Sequence, residues 1–189
     1  MLAKKVITLL ALTSGHRIQT LSLRRIENIV SNDGGIEIKI LDRIKTSNKN
    51  SLEPCLKFPF FFGHPEICVC SADLCYLERT SLIRNNLTNK NNFLFLTFKK
   101  PVHTASKQTI SRWVKDILKL SGIDTSIFLA HSTWHASTSK VNKKGVSIDI
   151  IKNTAGWTEK SRVFAEFYNQ VIVEEHIFAK ALVQDYKNK

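Results

Sequence analysis

Residues 29–40, which have the sequence IVSNDGGIEIKI, decide the fold class. Alternating isoleucines flank an Asn-Asp-Gly-Gly turn, where glycine tolerates the positive φ that a tight turn needs. The pattern predicts a β-hairpin whose strands cover residues 25–30 and 36–44. Residues 54–60 predict a third strand, so we expect a small antiparallel three-stranded sheet. Residues 93–98 predict a buried strand or extended segment.

Helical patterns lie on both sides of this sheet in the sequence. Residues 4–12 and a short segment carrying Arg17 precede it, and residues 71–84 follow it. The clearest helix covers residues 106–120, where apolar side chains recur at i, i+3, i+4, i+7 and i+8 until Gly122 ends it. Shorter helices are predicted over residues 132–141, 147–154, 159–168 and 174–186. This order predicts a mostly helical α+β domain, with the sheet packed beside a helical bundle.

Length and charge limit the possible functions. The 189 residues fit one domain, residues 1–189, with 174–189 as a C-terminal segment. Lysine and arginine total 28 against 16 acidic residues, so the net charge is +12, which predicts attraction to a polyanion. Neither a GxGxxG nor a GxxxxGK[ST] motif occurs, and no apolar run approaches the roughly 20 residues of a membrane span. We expect no nucleotide cofactor, no small-molecule substrate and no membrane segment.

The first twelve residues resemble a signal peptide only superficially, because a turn-forming Ser-Gly-His-Arg sequence follows instead of a small-residue cleavage site. We expect an amphipathic first helix in an intracellular protein with reduced cysteines. A zinc site is the alternative for the cluster of His64, Cys68, Cys70 and Cys75. The Cys-x-Cys spacing lacks the paired Cys-x2-Cys of a zinc knuckle, so we expect buried thiols and no metal.

Five residues that suit phosphodiester chemistry lie in distinctive local sequences. These sequences are TSGHR, ending at Arg17; IKTS, containing Lys45; AHSTWH, containing His131; AGW, ending at Trp157; and FAEFY, ending at Tyr168. Cleavage of a phosphodiester needs a nucleophile, a charge clamp and an acid for the leaving group. A phenol, a guanidinium, an imidazole and an ammonium group supply those three roles between them.

This ordered set resembles the catalytic domain of the tyrosine recombinases, the phage-integrase family of DNA breaking and rejoining enzymes. The similarity is closest to versions found in eukaryotic mobile elements. The family's order is an arginine after a glycine turn, a lysine on a β-hairpin, a His-x-x-Arg box, a Gly-His or Gly-Trp pair and a tyrosine. The resemblance covers nearly the whole chain. It implies duplex DNA as partner, strand cleavage through a 3′-phosphotyrosyl intermediate, and roles in DNA integration and recombination without metal or nucleotide.

The resemblance assigns one role to each of the five residues. Arg17 matches the first clamp arginine, which holds the non-bridging oxygens, and Tyr168 matches the nucleophile. Lys45 matches the lysine that protonates the departing 5′ oxygen. His131 matches the proton-shuttling histidine, and Trp157 matches the His or Trp position, which donates to phosphate. Taken singly, each residue also fits a structural role: Trp157 or Tyr168 could be a core aromatic residue, and Arg17 or Lys45 could be an exposed basic residue.

Further basic residues are candidates for binding DNA. Arg43 and Lys49 flank Lys45, and either is an alternative to it as the residue that reaches the phosphate. The residues predicted to bind DNA are Arg17, Arg43, Lys45, Lys49 and Lys140. A basic RNA-binding module is a weaker alternative, because the chain lacks the interleaved aromatic strand motifs of such modules.

Trp134 departs from the family pattern, since the second clamp arginine belongs at that position. His131 and Trp134 are i and i+3 on a predicted helix and therefore face the same site. Losing one transition-state donor costs about 10²–10³ in rate. We expect an impaired recombinase; the alternative is a catalytically dead mobile-element remnant that binds DNA or a partner protein.

The family also places a helical DNA-binding domain before the catalytic one, and this chain starts at about the second helix of the catalytic domain. We therefore expect the N-terminal half of the DNA clamp to be missing, with weaker and more salt-sensitive binding. The resemblance implies docking of residues 174–189 on a neighbouring subunit. It also implies a nuclear location if the source is eukaryotic.

Overall fold

The computed structural model describes residues 1–44, 53–87 and 92–157. The helices are α1 Leu2–Ser14, α2 Ile18–Ser22, α3 Val69–Asn85, α4 Lys107–Leu120, α5 Ser132–Lys143 and α6 Ile148–Thr154. The strands are β1 Ile29–Asn32, β2 Gly35–Lys39 and β3 Cys55–Pro59, in one antiparallel sheet of order β1-β2-β3. The predicted mostly helical α+β fold with a small antiparallel sheet is confirmed. The predicted helices over residues 159–168 and 174–186 lie outside the described residues.

The β1–β2 turn is held by an asparagine as well as by glycine. The Oδ1 atom of Asn32 accepts hydrogen bonds from the backbone N–H groups of Gly34 at 2.9 Å and Gly35 at 3.1 Å. Gly35 has a φ of 154°, and a Cβ at this position would lie 2.0 Å from the carbonyl oxygen of Phe58 on β3. Only glycine therefore lets β2 and β3 approach this closely at the start of β2.

The strand predicted over residues 25–30 is only partly correct. Residues Ile26–Asn28 form a short 3-10 helix, and β1 begins at Ile29. Ile26 and Ile29 are three residues apart and both pack against the core, a spacing that one 3-10 turn satisfies. At the other end, β2 stops at Lys39. Arg25 and Asp42 then form a two-pronged ion pair, with N···O distances of 2.8 and 2.9 Å.

Helix α1 is the centre of the helical layer. It packs against α3, α4 and α5, and Val6, Ile7 and Leu10 are completely buried. The apolar start of the chain is thus a core helix, with apolar contacts on more sides than the amphipathic helix we expected. In the part of the chain that the structure describes, no helix has the length and apolar character that a membrane crossing requires.

Helix α4 has the predicted apolar stripe, with Ile110, Trp113 and Val114 buried. The side chain of Ser106 accepts from the backbone N–H of Thr109 and caps its first turn. The predicted segment 93–98 is extended and buried at its centre, but it forms only isolated bridges, such as Leu96 with Thr104. The Trp113 ring packs against aromatic side chains of this segment. These contacts fix α4 against the core and leave its polar face outward.

Candidate active site

Arg17 is carried by a tight turn between α1 and α2. Gly15 ends α1 with a φ of 61°, a left-handed conformation that favours glycine. The backbone N–H of His16 donates to the hydroxyl of Ser14 at 3.2 Å, which closes the turn. Arg17 is then the extended residue immediately before α2. A Cβ on Gly15 would lie 3.4 Å from the Cβ of Ala155, so the turn is packed closely against the end of α6.

Helix α5 supplies the next two predicted residues. His131 precedes the first turn of α5 and is exposed, whereas Trp134 is 3% exposed. Both side chains line the same pocket, as their i and i+3 spacing predicted. The ring of His135, one turn after His131, lies 6.1 Å from the His131 ring. An imidazole and an indole therefore line the pocket with Arg17, and a second imidazole lies next to both of them.

Trp157 reaches the site from the loop after α6. Gly156 has a φ of 71°, and the backbone N–H of Trp157 donates to the carbonyl of Lys152 at 2.8 Å. The Trp157 ring stacks on Trp134, with centroids 4.9 Å apart and planes 19° from parallel. The Cζ atom of Arg17 lies 4.6 Å from the Trp134 centroid and 4.4 Å from the Trp157 centroid. Residues 17, 134 and 157 are thus in one cluster, although they are far apart in the sequence.

His16 is a site residue that the sequence analysis did not identify. Its side chain is 4% exposed, and burial lowers its pKa from 6.5 to about 4. A hydrogen bond to the backbone of Thr154 partly opposes this effect, and the charge of Arg17 adds to it. A Cβ on Gly156 would lie 2.9 Å from the Cε1 atom of His16. The neutral ring of His16 therefore joins the Arg17 turn to the loop that carries Trp157.

A basic pocket of about 420 Å³ opens beside Arg17 and His131, between α2, α4 and α5. Helix α4 contributes Lys107, Ser111 and Lys115, which follow one another at intervals of four residues, together with Arg112. Among the described residues, no carboxylate lines the pocket. The sequence analysis missed these α4 side chains because it used only the apolar face of that helix. The pocket is suited to an anion with several negative oxygens, such as phosphate.

The other predicted site residues lie elsewhere. Arg43 and Lys140 are exposed, and neither lines the pocket. Lys45, Lys49 and Tyr168 lie outside the described residues, so their predicted roles remain predictions.

Cys68 and Cys70, for which a zinc site was the alternative, bind the backbone around the start of α3. The sulfur of Cys68 accepts from the backbone N–H groups of Phe61 at 3.4 Å and Ser71 at 3.5 Å. The Cys70 thiol donates to the carbonyl of Phe58 at 3.1 Å, which ties α3 to β3. Across residues 1–44, 53–87 and 92–157, the structure contains no group of three or more His, Cys, Asp or Glu side chains that could hold a metal ion.

The α+β domain thus gathers an arginine, a histidine and two indoles at or next to one basic pocket. Residues 2–175 match the family model described as "Phage integrase family". The chain therefore belongs to this family, the tyrosine recombinases. No curated protein matches the chain significantly.

Several solved structures share the fold. A crystal structure of XerA recombinase has a TM-score of 0.63 and 18% identity, over 97% of this chain and 61% of that one. XerH recombinase bound to difH substrate in a pre-cleavage complex has a TM-score of 0.63 and 13% identity, over 95% and 46%. XerH in a post-cleavage complex with palindromic difH has a TM-score of 0.67 and 15% identity, over 97% and 46%. The chain thus spans about half to three fifths of the length of these proteins.

Proposed function

We propose that this chain is a tyrosine-recombinase catalytic domain that binds duplex DNA and acts in DNA integration and recombination. The observation that carries the proposal is that Arg17 and His131 line one basic pocket and that Trp157 packs against Arg17. These residues come from three separate sequence motifs of a family whose model covers most of the chain. Duplex DNA as substrate implies a compartment that contains DNA, the nucleus if the source is eukaryotic.

In the proposed reaction, the phenolic oxygen of Tyr168 attacks the scissile phosphorus and forms a 3′-phosphotyrosyl ester. The bond from phosphorus to the 5′ oxygen breaks, and Lys45 gives that oxygen a proton. His131 accepts the proton from the phenol, because an imidazole exchanges protons near neutral pH. Attack by a 5′ hydroxyl on the ester reverses these steps and rejoins the strand, so no metal or nucleotide is needed.

The charge clamp around the phosphate has two proposed members. Arg17 lines the pocket, and its planar guanidinium suits two non-bridging oxygens. The indole N–H of Trp157 is the second proposed member, because it can donate a hydrogen bond to a phosphate oxygen. At the second clamp position, Trp134 brings no charge. We therefore infer slow cleavage by an otherwise complete set of residues.

The first experiment is a covalent-adduct assay with a nicked suicide duplex that releases a short 5′ fragment on cleavage. We expect slow adduct formation, whose rate Trp134→Arg raises by about 10²–10³. The matched control is Tyr168→Phe, which removes only the nucleophilic oxygen and should abolish the adduct in both backgrounds. A high yield from the unaltered chain would show that Trp134 does not impair cleavage.

The second candidate is a protein that binds DNA and does not cut it. The buried Trp134, stacked where the resemblance places an arginine, favours this candidate. It predicts duplex binding without adduct, and Trp134→Arg would not restore cleavage.

Filter binding with matched duplex DNA and single-stranded RNA tests the RNA-binding alternative, since a recombinase domain should prefer the duplex. A role for residues 174–189 in binding a second copy on DNA is part of the proposal and lies outside the described residues.

A further inference from the structure

The guanidinium of Arg17 packs on both indoles of the site. Its Cζ atom is 4.6 Å from the centroid of Trp134 and 4.4 Å from that of Trp157, within the range of a cation–π contact. The two rings are themselves stacked at 4.9 Å. Trp134 is buried at 3% exposure, so one member of the stack is set by the packing of α5. Arg17 is therefore seated against a rigid aromatic surface.

Stacking and phosphate binding use different parts of a guanidinium. A cation–π contact leaves the five N–H donors of a guanidinium available for an anion. An arginine already packed against two rings has fewer rotamers to lose when an anion arrives, and this lowers the entropic cost of binding. Arg17 and Trp134 both line the basic pocket, so the surface that holds the arginine adjoins the space for the phosphate.

We propose that Trp134 is a positioning residue, whose indole holds the guanidinium of Arg17 toward the pocket for a DNA phosphate. The inference rests on the proposed function and extends it, because that function treats Trp134 only as a missing charge. The aromatic face at position 134 maintains the orientation of the one clamp arginine that the site retains. It also places no second positive charge beside Arg17 before DNA binds.

The alternative is that Trp134 only fills space in the core. A matched pair of substitutions separates the two roles, since Trp134→Phe and Trp134→Leu both leave an apolar side chain smaller than indole. Phenylalanine keeps a ring face for the guanidinium, and leucine does not. Trp113→Leu is the control for loss of a buried indole, because Trp113 packs on Phe95 and Phe98 away from Arg17.

The decisive experiment is a double-mutant cycle in duplex DNA affinity at fixed salt concentration. We expect Trp134→Leu to weaken binding about fivefold, and Trp134→Phe to weaken it less. In an Arg17→Ala background, Trp134→Leu should have no further effect, because an effect exerted through Arg17 disappears with it. Equal losses with and without Arg17, or an equal loss in Trp113→Leu, would show that Trp134 is only a core residue.

A second measurement needs no DNA. Aromatic ring currents should move the NMR signal of the Arg17 Nε–H group upfield, and Trp134→Leu should return it toward the position of a solvent-exposed arginine. Trp134→Phe should keep part of the shift. An Arg17 signal unchanged by Trp134→Leu overturns the inference and leaves the proposed function intact. Failure of the unaltered chain to bind duplex DNA overturns the proposed function, and the inference with it.

Discussion

Three of the side chains next to Arg17 carry no charge. His16 is neutral because burial lowers its pKa to about 4, and positions 134 and 157 are indoles. The positive charges near Arg17 come from α4, whose Lys107, Arg112 and Lys115 line the same pocket. Trp134 adds no charge at the second clamp position, so a phosphate there meets less positive charge than a pair of arginines would supply.

The first prediction concerns the titration of His16. Its folded-state pKa is lowered, so the unfolded chain binds the proton more readily between pH 6.5 and about 4. The stabilising contribution of neutral His16 is complete above pH 6.5 and is lost as pH falls toward 4, by about 3 kcal/mol. Urea unfolding at pH 7.5 and pH 5 measures it, since His16→Gln keeps a hydrogen-bond donor but cannot titrate.

We expect the unaltered chain to lose more stability than His16→Gln between the two pH values. Every other titratable group is the same in both proteins, so the difference between the two losses isolates His16. Equal losses would place the proton uptake elsewhere.

At the level of single residues, the sequence indicated which residues belong to the site more reliably than which side chains contact each other. Arg17 shares a pocket with His131 and contacts Trp157, while the catalytic roles of all three stay predictions. His16 was missed, since a histidine within a turn sequence carries no sign that the end of α6 will cover it. The stack of Arg17 on Trp134 was also missed. The sequence analysis treated Trp134 only as a missing arginine, and that comparison does not indicate what its indole ring contacts.

The elements that position the site are short and depend on a few backbone constraints. The hairpin of the sheet depends on Asn32 and Gly35, and helices α2 to α5 pack around α1. Because β3 packs on both α1 and α3, the close approach of Gly35 to Phe58 contributes to the position of the helices as well. A side chain at position 35 would therefore disturb more than the hairpin itself.

The second prediction is that Gly35→Ala destabilises the domain by about 3 kcal/mol, because the new Cβ would meet the Phe58 carbonyl oxygen in the backbone of β3. Gly63→Ala is the matched control, since nothing lies within 4 Å of a Cβ there. We expect the control to change stability by less than about 0.5 kcal/mol. Urea unfolding measures both, and similar values for the two variants would contradict the assigned constraint.

Periodicity predicted the elements unevenly. The α4 stripe is long enough that only a helix buries it, and the structure agrees with the prediction. Residues 25–30 are too short for such a distinction. The spacing of Ile26 and Ile29 fits a 3-10 turn followed by a strand, and only the sheet register shows that pairing begins at Ile29. The sequence alone does not determine where pairing starts, because register depends on both partners.

At the scale of the whole molecule, part of the positive charge of this +12 chain lies at the pocket. The polar face of α4 places Lys107, Arg112 and Lys115 beside Arg17, and its apolar face packs against the core. The net charge predicted a polyanionic partner without locating the surface that binds it. That surface depends on which way α4 faces after the core has formed.

The last prediction is that Lys107→Glu and Lys115→Glu each weaken duplex DNA binding and flatten its salt dependence. Each lost phosphate contact should reduce the slope of log affinity against log salt concentration by about 0.9, because fewer counterions are released. Arg79→Glu is the matched control, since this exposed residue lies on α3, which does not line the pocket. Titrations across a range of salt concentrations measure all three slopes. If Arg79→Glu flattens the slope as much as the α4 variants do, DNA is attracted by net charge alone, whereas an unchanged Arg79→Glu slope assigns the phosphate contacts to the face that carries Arg17.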